Sequence, residues 1–238
     1  MIAILGVSDD DILYFRNRMN VQETVPLLGS VVCYRGTLSS EEAVVAATGD
    51  SVYLAELITG LVIARYEPYL VISVGIVYSF SSQLRQGDIF IPERYYLSDV
   101  DFSASKGTKY GQIPGQPAFF VSDYGLNEEA EHTAYLVSDR YVQRGYMLSG
   151  NDFVDKQGPI ENRVAERFLS EEGLMAYDNS SAGVALACSV GHVTLLTLKA
   201  VAWRIGKEEQ RLNYVRKGLE VMPVIGQIVA RMIMEKER

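Results

Sequence analysis

Short apolar runs alternate with longer amphipathic segments along the whole chain. Several of these runs are apolar on both faces, as strands are when a sheet is covered on both sides. The predicted strands are residues 2–7, 30–36, 42–48, 70–75, 88–92, 118–123, 145–150, 174–178 and 192–200.

The segments between these strands have the spacing and the end signals of helices. Ser8, Asp9 and Asp10 suit a helix N-terminus before the segment "DILYFRNRM", and Asn127 is the expected N-cap of a later helix. Further helices are predicted over 51–66, 159–173 and 208–235, the last with a break at Pro223. This alternation predicts one three-layer α/β/α domain over residues 1–238.

The overall charge narrows the range of ligands. The 238 residues carry a net charge of -8, whereas nucleic acids and anionic membranes bind to positively charged surfaces. We therefore expect neither of these partners, and neutral or cationic small molecules remain open as ligands.

Cysteine and histidine indicate no metal or redox centre. Cys33 and Cys188 lie in apolar runs and are predicted to be buried small side chains, and His132 and His192 lack the spacing of metal ligands. We expect no cofactor. The N-terminal stretch "MIAILGVSDDD" has the pattern of a first strand rather than of a signal peptide, and no apolar stretch is long enough to cross a membrane. A cytoplasmic location is expected.

Several longer motifs resemble a known family. The strongest is "SDVDFSASKGTKYGQIPGQPAFFVSD" (98–123), with "RYEPYLVISVGIVYSFSSQLRQGDIFIPERYY" (65–96) and "LSGNDFVD" (148–155) in support. These stretches are similar to the nucleoside phosphorylase superfamily, and specifically to bacterial 5'-methylthioadenosine/S-adenosylhomocysteine nucleosidases. The resemblance spans nearly the whole chain. It implies an α/β fold with a central mixed sheet, a purine nucleoside ligand and a homodimer.

The resemblance also implies a site, but its acidic positions are altered here. The family cleaves the bond between ribose and adenine with three carboxylates. The water-activating position falls on Asp11, which is one methylene shorter than the usual glutamate. The ribose-binding run falls on Asp178, Asn179 and Ser180, so that a serine replaces the carboxylate that grips the ribose hydroxyls.

The third acidic position, which protonates adenine N7 in the family, falls on Trp203. An indole N–H donates hydrogen bonds but does not release its proton under ordinary conditions. The glycine-rich turn of the family also reads Gly75-Ile76-Val77-Tyr78-Ser79 here. Bulky and β-branched residues such as Ile76 favour an extended backbone and are expected to narrow the pocket.

Other binding positions of the family are retained. Phe153 falls where the family stacks an aromatic ring on adenine, although a core role is equally consistent with its pattern. Tyr110 and Ile113 lie in a loop that borders the ligand across the subunit interface in relatives. Their presence agrees with a homodimer.

Three functions remain open from the sequence. The first is a nucleosidase-like protein with lost or strongly reduced hydrolysis, which keeps a nucleoside-binding or dimeric regulatory role. The alternative is an active purine nucleosidase or phosphorylase that cleaves an altered nucleoside. The third is an interaction protein whose pocket is filled by Trp203 and Tyr78.

Overall fold

A computed structural model of the chain describes residues 1–152, 167–168, 172–207 and 212–235. The strands are β1 (Ile2–Gly6), β2 (Asn20–Leu28), β3 (Val31–Leu38), β4 (Glu41–Ala47), β5 (Leu70–Ser79), β6 (Ile89–Leu97), β7 (Phe120–Val121), β8 (Val142–Ser149), β9 (Leu174–Asp178) and β10 (Thr194–Arg204). The helices are α1 (Asp9–Arg18), α2 (Val52–Tyr66), α3 (Tyr124–Val137), α4 (Ser181–Gly191), α5 (Tyr214–Leu219) and α6 (Met222–Glu235).

These strands form one mixed sheet, as predicted, and part of it closes into a ring. From the edge inward the order is β2, β3, β4, β1, β5. From β5 the pairing continues through β10, β6, β8 and β9, and β9 pairs again with β5. The ring closes where Tyr78 and Ser79 of β5 lie opposite Tyr177 and Ala176 of β9. The last residues of β5 therefore close the ring, while β2 remains the free edge of the sheet.

Helices cover both faces of the open part of the sheet. Ile2 and Ile4 of β1 belong to one apolar cluster, which includes residues of α1, α3 and α6. Ala3 and Leu5 belong to a second cluster with residues of α2 and α4. Successive side chains of a strand point to opposite faces, so the two-sided apolar pattern of β1 accounts for the three layers.

Some predicted elements differ from the structure. The edge strand β2 and the helix α4 were not predicted, and β5 runs four residues beyond Gly75. Asp123 rather than Asn127 caps α3, because its side chain accepts from the backbone N–H of Leu126. Asn127 lies buried inside that helix and donates to Ser122 Oγ.

The C-terminal helical segment is indeed divided, but the break precedes Pro223. Helix α5 ends at Leu219, and Pro223 lies in the first turn of α6, where proline is well tolerated. The start of this segment at 208 lies outside the described residues, as does most of the predicted helix 159–173. Cys33 and Cys188 are buried free thiols, as predicted. Within the described ranges, no helix combines the length and the apolar character that crossing a bilayer requires.

Candidate functional site

A cavity of about 390 Å³ lies where the ring of strands closes. It is formed by the loops that follow β1 and β4, by the ends of β5 and β9, and by α5, a position where α/β folds commonly bind ligands. The lining residues are Val7, Ser8, Asp10, Asp11, Asp50, Ile76, Tyr78, Asp178, Asn179, Tyr214, Val215 and Leu219.

Asp11 lies in this cavity because α1 begins directly after β1. The backbone N–H and the hydroxyl of Ser8 both donate to Asp11 Oδ2, each at 2.8 Å. Burial raises the pKa of Asp11, and the Ser8 hydrogen bonds and the Lys199 ammonium only partly oppose this effect. The residue thus serves the helix N-terminus and also presents a carboxyl group to the cavity.

Asp178 forms a buried ion pair with Lys199. Its Oδ2 lies 3.3 Å from Lys199 Nζ, and Lys199 has no exposed side-chain surface. The Ser149 hydroxyl donates to Oδ1 and the Ser181 hydroxyl donates to Oδ2, both at 2.6 Å. The backbone N–H groups of Ser180 and Ser181, at the start of α4, donate to Oδ1 as well.

These contacts keep the carboxyl group of Asp178 ionised. Burial by itself raises the pKa of a carboxyl group, but the Lys199 ammonium and the hydrogen bonds from Ser149 and Ser181 together hold the pKa of Asp178 below its ordinary value. Most of its acceptor positions are already occupied by protein donors. Asp178 is therefore an ionised carboxylate that is held by the fold and has little capacity left for a ligand.

The two residues after Asp178 lie differently. Asn179 lines the cavity, and its Nδ2 donates to the carbonyls of Gly150 at 2.7 Å and Asp152 at 2.9 Å. Ser180 is buried outside the lining, and its hydroxyl donates to Asp178 Oδ2 at 3.2 Å. A direct contact between Ser180 and a ligand stays a prediction.

Trp203 packs behind the wall of the cavity. Its Nε1–H donates to the carbonyl of Lys207 at 2.9 Å, and its side chain is only 1% exposed. The Trp203 ring centroid lies 6.1 Å from that of Tyr78 and 6.1 Å from that of Tyr214. Tyr78 and Tyr214 form the cavity surface here, so Trp203 lies behind a wall of two aromatic rings.

Ile76 also lines the cavity and contacts its roof. The predicted extended backbone at this position is confirmed, since β5 continues through Ser79. Helix α5 packs closely against Ile76: a Cβ added to Gly218 of this helix would lie only 2.4 Å from Ile76 Cγ2. This close approach holds Tyr214 and Leu219 over the cavity.

The remaining predicted site residues lie elsewhere. Tyr110 donates its hydroxyl to the carbonyl of Ser98 at 2.8 Å and packs edge-on against Phe168, while Ile113 packs against the core cluster that includes α2 and α4. Neither residue is part of the cavity lining of this chain. Phe153 lies outside the described residues.

Asp50 was not predicted as a site residue. It follows β4 in the loop "TGDS" at the cavity rim, where the residue as a whole is exposed but its carboxyl end is partly shielded by the cavity. Burial of its carboxyl group and the neighbouring charges of Asp178 and Asp11 raise the pKa of Asp50, and Lys199 opposes them. One sequence signal could have predicted Asp50. It is an acidic residue between the end of a strand and a helix N-cap, and it lies at the same edge of the sheet as Asp11.

The fold and the site together define a class of protein. The model of the phosphorylase superfamily matches residues 1–233, and the chain belongs to this superfamily.

Individual relatives narrow the resemblance. The chain is 28% identical over 207 residues to the 5'-methylthioadenosine/S-adenosylhomocysteine nucleosidase of Anoxybacillus flavithermus, with 87% of each chain covered. It is 28% identical over 228 residues to the nucleosidase of the same name from Tolumonas auensis, with 94% of this chain and 96% of the relative covered.

Solved structures show the same fold. The Neisseria meningitidis nucleosidase in complex with methylthio-immucillin-A superposes with a TM-score of 0.87 at 24% identity, covering 97% of this chain and 98% of that one. The native futalosine hydrolase of Helicobacter pylori superposes with a TM-score of 0.86 at 24% identity, covering 98% and 97%. The fold is that of a nucleosidase of this superfamily.

Proposed function

We propose that this protein is a nucleosidase-like member of the superfamily with lost or strongly reduced hydrolysis of N-glycosidic bonds and a retained role in binding a nucleoside-like ligand. The observation that carries the proposal is the environment of Trp203. The side chain at the N7-acid position is buried, and its one N–H group already donates to the Lys207 carbonyl.

The chemistry explains why this matters. A purine leaves ribose readily only if its developing negative charge is neutralised by a proton, which is a general-acid step. An indole can donate a hydrogen bond but cannot serve as that acid. The wall that Tyr78 and Tyr214 form in front of Trp203 carries no carboxyl group, and burial raises the pKa of the Tyr78 phenol, which makes it a weaker proton donor.

The ribose side of the cavity supports the same conclusion. Asp178 is engaged by Lys199 and by the serines around it, and Ser180 points its hydroxyl at Asp178. Neither side chain is free to grip two ribose hydroxyls. Binding and charge stabilisation of the reacting sugar are both weakened as a result.

Retained ligand binding is supported by the cavity and by the relatives. A volume of about 390 Å³ lies within the range of small-molecule sites. A structural neighbour from Neisseria meningitidis is bound to methylthio-immucillin-A. We infer a nucleoside-like ligand for this chain from these two observations.

A second function is favoured by a different observation. Asp11 and Asp50 line one cavity, and the pKa of each is raised, chiefly by burial. One carboxylate that activates water and one carboxyl group that donates a proton would suffice for an active nucleosidase or phosphorylase on an altered nucleoside. This alternative is distinguished from the first by turnover alone.

We also propose a homodimer that forms through α2 and α4. Tyr53, Leu57 and Val190 are 65%, 47% and 60% exposed, and they line one apolar groove between these helices. Exposed apolar surface of this kind is typical of protein interfaces.

Base release tests the first function directly. The purified protein is incubated with methylthioadenosine, S-adenosylhomocysteine, adenosine and inosine, with and without phosphate, and free base is quantified by chromatography. We expect release at least about a thousandfold slower than by a nucleosidase from one of the relatives, because loss of a general acid alone costs about 10²–10⁴-fold. Release at a rate comparable to the relative's would contradict the proposal and establish the alternative.

A further inference from the structure

The cavity carries an unusual excess of negative charge. Among the described residues that line it, four are aspartates and none is a lysine or arginine. Lys199 is buried behind the lining and is paired with Asp178. With the carboxylates ionised, Lys199 offsets one of the four negative charges. Of the other three aspartates, Asp11 is buried, whereas Asp10 and Asp50 lie at the exposed rim of the cavity.

Carboxylates that share such a site repel one another. Asp178 and Asp11 both contribute to the raised pKa of Asp50, which shows that the three groups interact. A bound cation would remove this repulsion, whereas a bound anion would add to it. The electrostatics of the cavity therefore favour a positively charged ligand over a neutral one of the same shape.

A second feature indicates a place for a ligand atom. Lys199 Nζ is fully buried, and apart from its ion pair with Asp178 it has no hydrogen-bond partner among the described residues. A Cβ on Gly75 would lie 3.4 Å from this Nζ and 3.7 Å from Asp11 Oδ1. The missing side chain of Gly75 thus leaves space for about one methyl group between the ammonium and the carboxylate. This space lies behind the residues that line the cavity, so an acceptor atom of a bound ligand would have to extend past them to meet Lys199.

The wall of the cavity is also suited to a cation. The rings of Tyr78 and Tyr214 both line it, with centroids 5.7 Å apart and planes inclined by 68°. Aromatic faces attract organic cations, and they do so most strongly beside carboxylates in a partly desolvated site.

We propose that the cavity selects a nucleoside-sized organic cation, such as an amine or a sulfonium, whose positive charge lies beside Asp50. The proposal rests on the ligand-binding role proposed above and names the class of that ligand. Asp50 is then the residue that determines specificity. Asp11, Asp178 and the two tyrosines provide the surrounding field.

Matched ligands that differ in charge test this proposal. Calorimetry measures the affinities of adenosine and 5'-amino-5'-deoxyadenosine, and of methylthioadenosine and its S-methyl sulfonium derivative. At low ionic strength and neutral pH we expect the cation of at least one pair to bind about tenfold more tightly than its neutral partner. Absence of preference in both pairs, or no saturable binding of any of the four, would overturn the proposal.

Two variants locate the preference. Asp50→Asn removes the charge and keeps the shape, and it should reduce the cation preference to within about twofold of unity; Asp50→Ala provides a second variant with the same expectation. The control is Asp9→Asn, which removes the same charge from an exposed aspartate outside the cavity lining. If both Asp50 variants still prefer the cationic ligand, or if Asp9→Asn also loses this preference, Asp50 is not the residue that determines it.

Base release is followed in the same samples. Rapid turnover would contradict the proposed loss of hydrolysis, yet the ratio between the charged and the neutral ligand would still report the charge preference. Failure of one proposal is thereby distinguishable from failure of the other.

Discussion

At the scale of single residues, Asp178 and Lys199 show how the fold holds two opposite charges away from solvent. Two buried charges are costly to desolvate, and they are tolerated because each satisfies the other and because Ser149 and Ser181 complete the hydrogen bonding of the carboxylate. Removing one partner alone leaves the other charge buried without compensation.

Asp178→Asn should therefore lower the free energy of unfolding by about 3–5 kcal/mol at neutral pH, measured by urea denaturation. The pKa of Asp178 is lowered in the folded protein, so its contribution is complete above the ordinary pKa of aspartate and is lost as pH falls through the folded value. The difference between wild type and variant should shrink accordingly in acid.

The double variant Asp178→Asn/Lys199→Met shows whether the loss of stability comes from the unpaired charge of Lys199 or from altered packing. Removing both charges should recover most of the stability that the single variant loses, because no buried charge is left unpaired. If the double variant is as unstable as the single one, the charge of Lys199 is not the cause and this account of the pair is wrong.

At the scale of elements, the roof of the cavity depends on one glycine of α5. A methyl group on Gly218 would lie 2.4 Å from Ile76 Cγ2 and 3.0 Å from Ala202 Cβ. Gly218→Ala should therefore displace α5 and lower the free energy of unfolding by about 1–3 kcal/mol, as overpacking commonly does. Urea denaturation measures the loss, and ligand affinity should fall as well because Tyr214 and Leu219 move with the helix.

The matched control is Gly60→Ala in α2, where an added Cβ would meet nothing of the same chain within 4 Å. Because Gly60 lines the groove proposed as the dimer interface, both glycine variants are measured at a protein concentration low enough to keep the chain monomeric. Here the gain in helix propensity should dominate and raise stability by about 0.5–1 kcal/mol. Adding Ile76→Ala to Gly218→Ala removes the clashing Cγ2 and should restore part of the loss. Equal effects of the two glycine substitutions would show that close packing of α5 is not responsible.

The elements also show what the sequence can predict. The buried strands β1, β5, β9 and β10 were found because apolar runs on both faces are rare outside a covered sheet. The strand β2 was missed because an edge strand is largely exposed and its pattern is polar. Helix α4 was missed because its small apolar residues are buried nearly all round and show no amphipathic period.

The site residues, like the elements, were predicted only where the sequence carries a clear pattern. Asp11, Ile76, Asp178 and Asn179 were predicted through family motifs, and all four line the cavity. Asp50 was overlooked because it lies in a short loop outside the motifs that carry the resemblance, and a loop position alone does not indicate where a side chain points. Likewise, the burial of Trp203 behind two tyrosines depends on packing between β5, β10 and α5 that sequence spacing does not encode.

At the scale of the whole molecule, the net charge of the chain opposes the proposed homodimer, whereas its exposed apolar groove favours it. Each chain has a net charge of -8, which makes two copies repel at low ionic strength. The groove between α2 and α4 offers apolar area that would be buried in a dimer. Burial of this apolar area favours the dimer, and physiological salt screens the repulsion that opposes it.

Sedimentation velocity tests this balance. We expect the wild type to sediment as a dimer, with self-association that strengthens as salt is raised from low to moderate concentration because the repulsion is screened.

Leu57→Glu should shift the equilibrium to monomer by about tenfold or more, since it places an unpaired charge in the apolar groove. Leu28→Glu is the control, because Leu28 is equally exposed, at 47%, but lies at the end of the edge strand β2. A dimer that Leu28→Glu disrupts and Leu57→Glu leaves intact would place the interface on the strand edge, and a monomer at all salt concentrations would exclude the α2 and α4 face as a dimer interface.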